Sequence, residues 1–239
     1  PPGKFFPLAI TPFGYSIGIC QPPKSASFAS CFWCHSYSGD FTLLIYRVGS
    51  AFVKSLKFTS ESVGSTLVFA VSSKKNQLEV LGKVNGTDTN NLAKVLDRLR
   101  FAAKPDEVIK FPLGEKTIVA TGVGAWSEKF DSEILRRAAG AAARALSGEK
   151  SATFIFPAKS STELSAIAEG AALGSYQFSD FKATSLKEMK APLEEIVVKT
   201  DLAKSVDTKA IAKRVEILAK NSYLIRDLIN TPPSHLTPI

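Results

Sequence analysis

Acidic residues are nearly missing from the first quarter of this 239-residue chain, where Asp40 is the only one before Glu61. Histidine and methionine are scarce throughout: His35, His235 and Met189 are all there are. The three cysteines, Cys20, Cys31 and Cys34, all fall in the same opening stretch. Each scarcity excludes something. No Ser-His-Asp or Cys-His nucleophile arrangement can be assembled with support, although Cys34 and His35 adjoin. No apolar run is long enough to cross a bilayer as a helix. A secretory signal needs a basic start, an unbroken apolar core and a small-residue cleavage site, whereas the stretch after Lys4 is broken by Pro7, Pro12 and Gly14. Ile19 is too bulky to precede the cysteine of a lipoprotein box at Cys20. The expectation is a soluble, cytoplasmic protein with no membrane partner, its cysteines free thiols in a reducing compartment.

What is present is ordinary for a globular protein, at 45% hydrophobic and 22% charged, with length enough for one or two domains. The net charge of +8 raises the question of nucleic acid. The 30 Lys and Arg are spread along the chain, and from Glu61 onward they are interleaved with acids, which favours a solvated surface over a binding face. Cys31-Phe32-Trp33-Cys34-His35 has the spelling of a c-type haem attachment site. Haem attachment implies export, and no second axial ligand lies nearby. Zinc would want four ligands, and Cys20, Cys31, Cys34 and His35 have an irregular spacing for it. A chance match is the favoured reading of both.

Composition divides the chain. Residues 1–60 hold half of the phenylalanines and six of the thirteen prolines, which interrupt every apolar run, so they read as an atypical leader in which a short run such as Phe41–Tyr46 is a candidate strand. From 61 to 205 strands alternate with helices. Thr66–Val71 is a continuous apolar run, the mark of a strand buried on both faces. Asn85-Gly86-Thr87-Asp88 turns into a helix carrying Leu92, Val95, Leu96 and Leu99. Strands follow at Val108–Phe111 and Thr117–Val123, then an alanine-rich helix from Asp131 with a stripe of Ile134, Leu135, Ala138, Ala142 and Ala145. Ala152–Phe156 is the next strand, and Ser160-x-x-Glu163 is a capping box for a helix carrying Leu164, Ile167, Ala168 and Ala171. Glu195–Lys199 is a late strand. The pattern predicts an α/β fold whose mixed sheet has helices on both faces.

A long closing helix occupies much of 206–239. Ile211, Val215, Leu218, Ser222, Ile225 and Ile229 recur in steps of four and three, with only Ser222 polar. Asp207 is its expected N-cap, and Pro232-Pro233 should stop it near Asn230.

Read as Asn221-x4-Arg226-Asp227-Leu228-x-Asn230-x-Pro232-Pro233-x3-Thr237-Pro238, this stretch resembles the segment that joins the two domains of leucyl (cytosol) aminopeptidases. Ala168-Glu169-Gly170-x2-Leu173-Gly174-x-Tyr176-x-Phe178-x2-Phe181-Lys182 is similar to a segment of the same family's N-terminal domain. Thr117–Gly124 and the helix from Asp131 look like that domain's strand, Gly-x-Gly turn and helix. The resemblance runs from about residue 60 to 239 and implies a macro-domain-like sheet closed by a linker helix, ahead of a catalytic domain that this span does not include. It implies further that the full enzyme removes N-terminal residues from peptides with two divalent metals, manganese or zinc, as a cytoplasmic hexamer. The motifs that carry that chemistry, K-G-x3-D-x-G-G and N-T-D-A-E-G-R, do not occur here.

No catalytic, metal-binding or cofactor-binding residue is therefore assigned, and whether the chain is itself an enzyme stays open. Asp88, Asp131 and Glu169 have no His or Lys at ligand spacing, Arg226 and Asp227 are expected to make helix-end contacts, and His235 to be structural. Its expected role is assembly or regulation beside the catalytic domain, with peptide substrates met only there. The rival reading is a stand-alone macro-like module binding nucleotide or nucleic acid. It rests on the charge, on Gly122-x-Gly124, and on DNA binding by some bacterial members of the family. Ser127 stands where a third glycine would be needed, and Asp131 would repel an anion, so a tight strand-to-helix turn is the expectation at that pair.

Overall fold

A computed structural model describes residues 53–61, 63–75, 77–82, 88–182, 185–204 and 206–235. The haem-like pentapeptide, Cys20, the Phe41–Tyr46 run, Asn85–Thr87, Thr237 and Pro238 lie outside the described residues.

Among the described residues, seven strands form one mixed, mostly parallel sheet. They are β1 (Ser55–Thr59), β2 (Thr66–Lys74), β3 (Gln77–Leu81), β4 (Val108–Leu113), β5 (Lys116–Ala125), β6 (Ser151–Ile155) and β7 (Glu195–Lys199). The order across the sheet is β1-β7-β6-β2-β5-β4, with β3 also on β2. Pairing is parallel from β1 through to β5, whereas β4 and β3 run antiparallel to β5 and β2. One edge of β2 is shared: Leu67–Phe69 face β6, and Ala70–Lys74 face β3. Pro112 is tolerated because β4 is an edge strand. β1 lies upstream of Glu61, so its pairing with β7 carries the sheet back to Ser55, into what composition marks as leader.

β2 explains the two layers. Leu67 to Val71 are all buried, and alternate members belong to different cores. Leu67, Phe69 and Val71 meet Leu92, Leu96 and Phe101 on and after helix α1 (Thr89–Arg98). Val68 and Ala70 belong to the larger core, with helices α2 (Ser132–Ala145), α3 (Ser161–Gly174) and α4 (Thr208–Asn230). Helices thus cover both faces, as the continuous apolar strand requires. Asp131, Ser160 and Asp207 cap the helices that the sequence opens there, and Asp88, read from the sequence only as part of a turn, caps α1. Asp88, Asp131, Ser160 and Asp207 accept from the amides of Asn90, Glu133, Glu163 and Ala210.

Two expected apolar stripes turn out differently. On α2, Ile134 is exposed, while Ala139, Ala141 and Ala143 join Leu135, Ala138 and Ala142 inside. On α4 the buried face is Val215, Ala219, Tyr223 and Asp227, in steps of four. Leu218, Ile225 and Ile229 from the expected stripe lie off it. The cause is the surface underneath: α3 presents Ala168, Ala171 and Ala172 there, room enough for the Tyr223 ring, whose hydroxyl donates to the Ala172 carbonyl.

Acid sensitivity has an identifiable source at the sheet edge. Lys110 Nζ donates to Glu149 Oε1 at 2.7 Å, and Thr66 Oγ1 to Oε2 at 3.3 Å. The Lys110 bond, working against burial and helped by Thr66, holds the Glu149 carboxyl below its ordinary 4.5. A lowered carboxyl pKa stabilises the fold above the ordinary value, and that stability is lost as pH falls from 4.5 through the lower folded value. Both side chains are about a third exposed, so the contribution is below ~1 kcal/mol. Lys110→Ala should flatten this part of the acid dependence, seen as a smaller loss of urea midpoint between about pH 6 and about pH 3.

Candidate functional site

Gly122 and Gly124 fall inside strand β5, which continues to Ala125, and they form no strand-to-helix turn. The Gly122 amide donates to the Glu107 carbonyl at 2.8 Å, and the Gly124 amide to the Ala103 carbonyl at 2.9 Å. The Trp126 amide donates to Ser73 at 2.9 Å. The donors that a phosphate would need are already engaged. Gly122 is required for another reason: a Cβ there would lie 2.0 Å from the Lys104 carbonyl oxygen, where the loop after α1 crosses the strand.

Glu169 and Gly170, the centre of the family-like segment on α3, have separate structural tasks. Glu169 is 5% exposed, and its Oε2 accepts from Arg136 of α2 through Nε at 3.3 Å and NH2 at 3.1 Å. Its Oε1 accepts from Ser165 Oγ at 3.0 Å, with Arg214 of α4 at 3.8 Å. One carboxylate thus ties three helices together. Gly170 lets α2 and α3 touch, since a Cβ there would be 2.0 Å from the Arg136 carbonyl oxygen.

The end of α4 is held by the remaining family-like residues. Tyr176 Oη donates to Asp227 Oδ1 at 2.9 Å and accepts from Asn230 Nδ2 at 3.0 Å. Arg226 lies over the Tyr176 ring at 4.6 Å and donates to the Leu173 carbonyl at 3.1 Å. Thr231 Oγ1 donates to the Asp227 carbonyl at 2.7 Å. Asp227 is 1% exposed, and burial together with its carboxylate pushes the Tyr176 hydroxyl up from the ordinary range, against the Asn230 bond. Arg226, Asp227, Asn230 and Tyr176 therefore form a clasp that fixes where the chain leaves the domain. Tyr176→Phe removes both hydroxyl bonds and leaves Asp227 buried with less compensation. A loss of about 1–3 kcal/mol is expected by urea titration.

His235 follows in a turn, its amide donating to the Pro232 carbonyl at 2.9 Å, and its ring stands edge-on to Phe181 at 4.7 Å. Asp88 and Asp131 serve as helix caps. Among the described residues no group of three or more His, Cys, Asp and Glu could hold a metal ion, so those residues do not fit the divalent pair that the resemblance implies for the full enzyme. A shallow cleft of about 460 Å³ opens at the N-terminus of α3, lined by Glu128, Lys129, Lys159, Ser160 and Glu163. Glu163 Oε2 accepts from the Lys159 amide at 2.7 Å, whereas its buried Oε1 has no hydrogen-bond partner among the described residues. The Ser160 half of the expected capping box forms there, whereas the Glu163 carboxylate bonds the Lys159 amide in place of the Ser160 amide, and nothing in the spacing pointed to a cleft. No helix among the described residues is long and apolar enough to cross a membrane.

Comparison with known proteins agrees with this geometry. The family model described as "Cytosol aminopeptidase family, N-terminal domain" matches residues 63–185. A probable cytosol aminopeptidase of Streptomyces avermitilis is 41% identical over 160 residues, covering 62% of this chain and 31% of that protein. One of Rhodococcus erythropolis is 34% identical over 203 residues, covering 75% and 39%. The chain thus spans between about a third and two fifths of the length of these relatives. In fold it is similar to a tomato leucine aminopeptidase variant, at a TM-score of 0.60, 18% identity, and coverage of 78% of this chain and 40% of that one. It is likewise similar to a bottromycin maturation enzyme solved in complex with Mn, at 0.52, 21%, 74% and 34%. The chain belongs to the cytosol aminopeptidase family, through that family's N-terminal domain.

Proposed function

We propose that this chain is the N-terminal, non-catalytic part of a metal-dependent leucyl aminopeptidase. Its role is assembly and control of access, while the catalytic domain of the same polypeptide hydrolyses N-terminal residues from peptides with two divalent metals, manganese or zinc. The working protein is a cytoplasmic hexamer. The observation that carries this reading is the clasp: the family-like polar residues Tyr176, Arg226, Asp227 and Asn230 bond one another and the α3 backbone, fixing the exit of α4. The names of the relatives and the Mn in one similar structure support the activity of the whole enzyme. The pure 239-residue chain, given manganese or zinc and a leucyl anilide, is expected to release no leucine above the buffer rate. Metal-dependent release would contradict the proposal.

The alternative, a macro-like module for nucleotide or nucleic acid, keeps the net charge of +8 as support. It has lost its phosphate loop, because the amides of Gly122 and Gly124 are engaged by carbonyls. Thermal stabilisation by ADP-ribose, or salt-sensitive retention on DNA, would restore it.

A further inference from the structure

Glu163 of α3 is a buried carboxylate with one oxygen unserved. The residue is 3% exposed, and while its Oε2 accepts from the Lys159 amide at 2.7 Å, its Oε1 is buried with no hydrogen-bond partner among the described residues. A charged acceptor left without a donor is costly, so such an atom calls for a group that supplies one. Glu163 lines the cleft of about 460 Å³, a volume within the range of small-molecule sites. The terminal torsion of a glutamate is broad, so the carboxylate can turn to a donor in the cleft while α3 stays in place.

The cleft lies where ligands bind in open α/β sheets, outside the carboxyl ends of the strands. β5 ends at Ala125 and leads to Glu128 and Lys129, and β6 ends at Ile155 and leads to Lys159 and Ser160. The two connections are tied together, since Lys159 Nζ donates to the Glu128 carbonyl at 2.6 Å. Helix α3 begins at the same place. Ser160 Oγ accepts from the Glu163 amide at 3.2 Å, which leaves the amides of Ser161 and Thr162 as donors at the positive end of the helix.

The charges say what fits. The lining carries two carboxylates, Glu128 and Glu163, and two ammonium groups, Lys129 and Lys159. A simple anion would be drawn to the lysines and the helix end but repelled by the glutamates, and a simple cation would meet the converse. A ligand with both charges close together is matched by both sets.

We propose that this cleft binds a free α-amino acid, its ammonium donating to Glu163 and its carboxylate held by Lys129, Lys159 and the first amides of α3. The cleft is shallow, so the ligand's side chain projects outward and contributes little selectivity. Binding does not rest on the function proposed above, although that function makes the ligand a product of the whole enzyme.

The test is a titration of the 239-residue chain with leucine, followed by amide chemical shifts and by thermal midpoint. Leucine at up to about 10 mM should shift the amides of Ser161, Thr162 and Glu163 and raise the midpoint as the site fills. Leucinamide, which lacks the carboxylate, and isocaproate, which lacks the ammonium, should each bind about tenfold more weakly or worse. Glu163→Gln keeps an acceptor for the Lys159 amide but loses the charge, and Lys129→Ala alters an exposed side chain at no cost to the fold. Each should weaken leucine by a similar factor. Leucine affinity unchanged in either variant, or either analogue binding as well as leucine, would overturn the proposal. So would inorganic phosphate producing the same shifts, since the cleft would then be a plain anion site, and so would no response to leucine, since water alone would then serve Oε1. Every one of these outcomes leaves the functional reading untouched.

Discussion

Gly170→Ala is expected to destabilise the chain by about 3 kcal/mol or to prevent folding, because the added methyl group meets backbone and not a movable side chain. The added Cβ would sit 2.0 Å from the Arg136 carbonyl oxygen, and a backbone oxygen has no rotamer by which to retreat. Helices α2 and α3 would have to separate. One turn later a Cβ at Gly174 would lie 2.3 Å from the Gly140 carbonyl oxygen, so the contact is glycine to backbone along its length. Separation would propagate, because α3 supplies the Ala172 and Leu173 carbonyls that receive Tyr223 and Arg226 of α4. Gly114→Ala is the control. Nothing lies within 4 Å of a Cβ there, but φ is +62°, so it should cost only about 1 kcal/mol, through backbone strain. Urea titrations of the two variants separate packing from conformational preference. Equal losses would refute the account of Gly170.

The second large effect is an asymmetry. Arg136→Leu should cost about 3 kcal/mol, and Glu169→Leu clearly less, although each breaks the same ion pair. Without Arg136, the Glu169 carboxylate stays buried with Ser165 and an arginine at 3.8 Å. Without Glu169, the Arg136 side chain is already 36% exposed and keeps its bond to Glu133. Water and a neighbour replace what is lost in one case and not in the other. Thermal or urea midpoints in the reverse order would show that the pair contributes by packing rather than by charge.

Most of the fold was legible because its signals are local. The continuous run of Thr66–Val71, the capping residues Asp131, Ser160 and Asp207, and the bounds Glu195–Lys199 of β7 each follow from a few adjacent side chains. β3 was not seen because Gln77–Leu81 is short and its place in the sheet comes from its hairpin with β2. β1 was hidden by the composition of the residues before it, and only pairing with β7 reveals it. The α4 stripe misled for a physical reason. The helix has two apolar faces, and periodicity alone cannot say which one meets the small residues of α3. Gly122-x-Gly124 misled likewise, because a glycine demanded by a crossing loop is spelled the same as one demanded by a turn. In the candidate site, the family-like residues were found from their motif. Their partnership of Tyr176 with Asp227 and Asn230 spans more than fifty positions, and no spacing rule reaches that far.

The measurement that bears most directly on the central claim is the intact mass of the natural product from its source cells. The account predicts a polypeptide far heavier than 25.7 kDa, with the catalytic domain continuing beyond Ile239. A product of 25.7 kDa would contradict it, and binding or assembly without peptide hydrolysis would take its place.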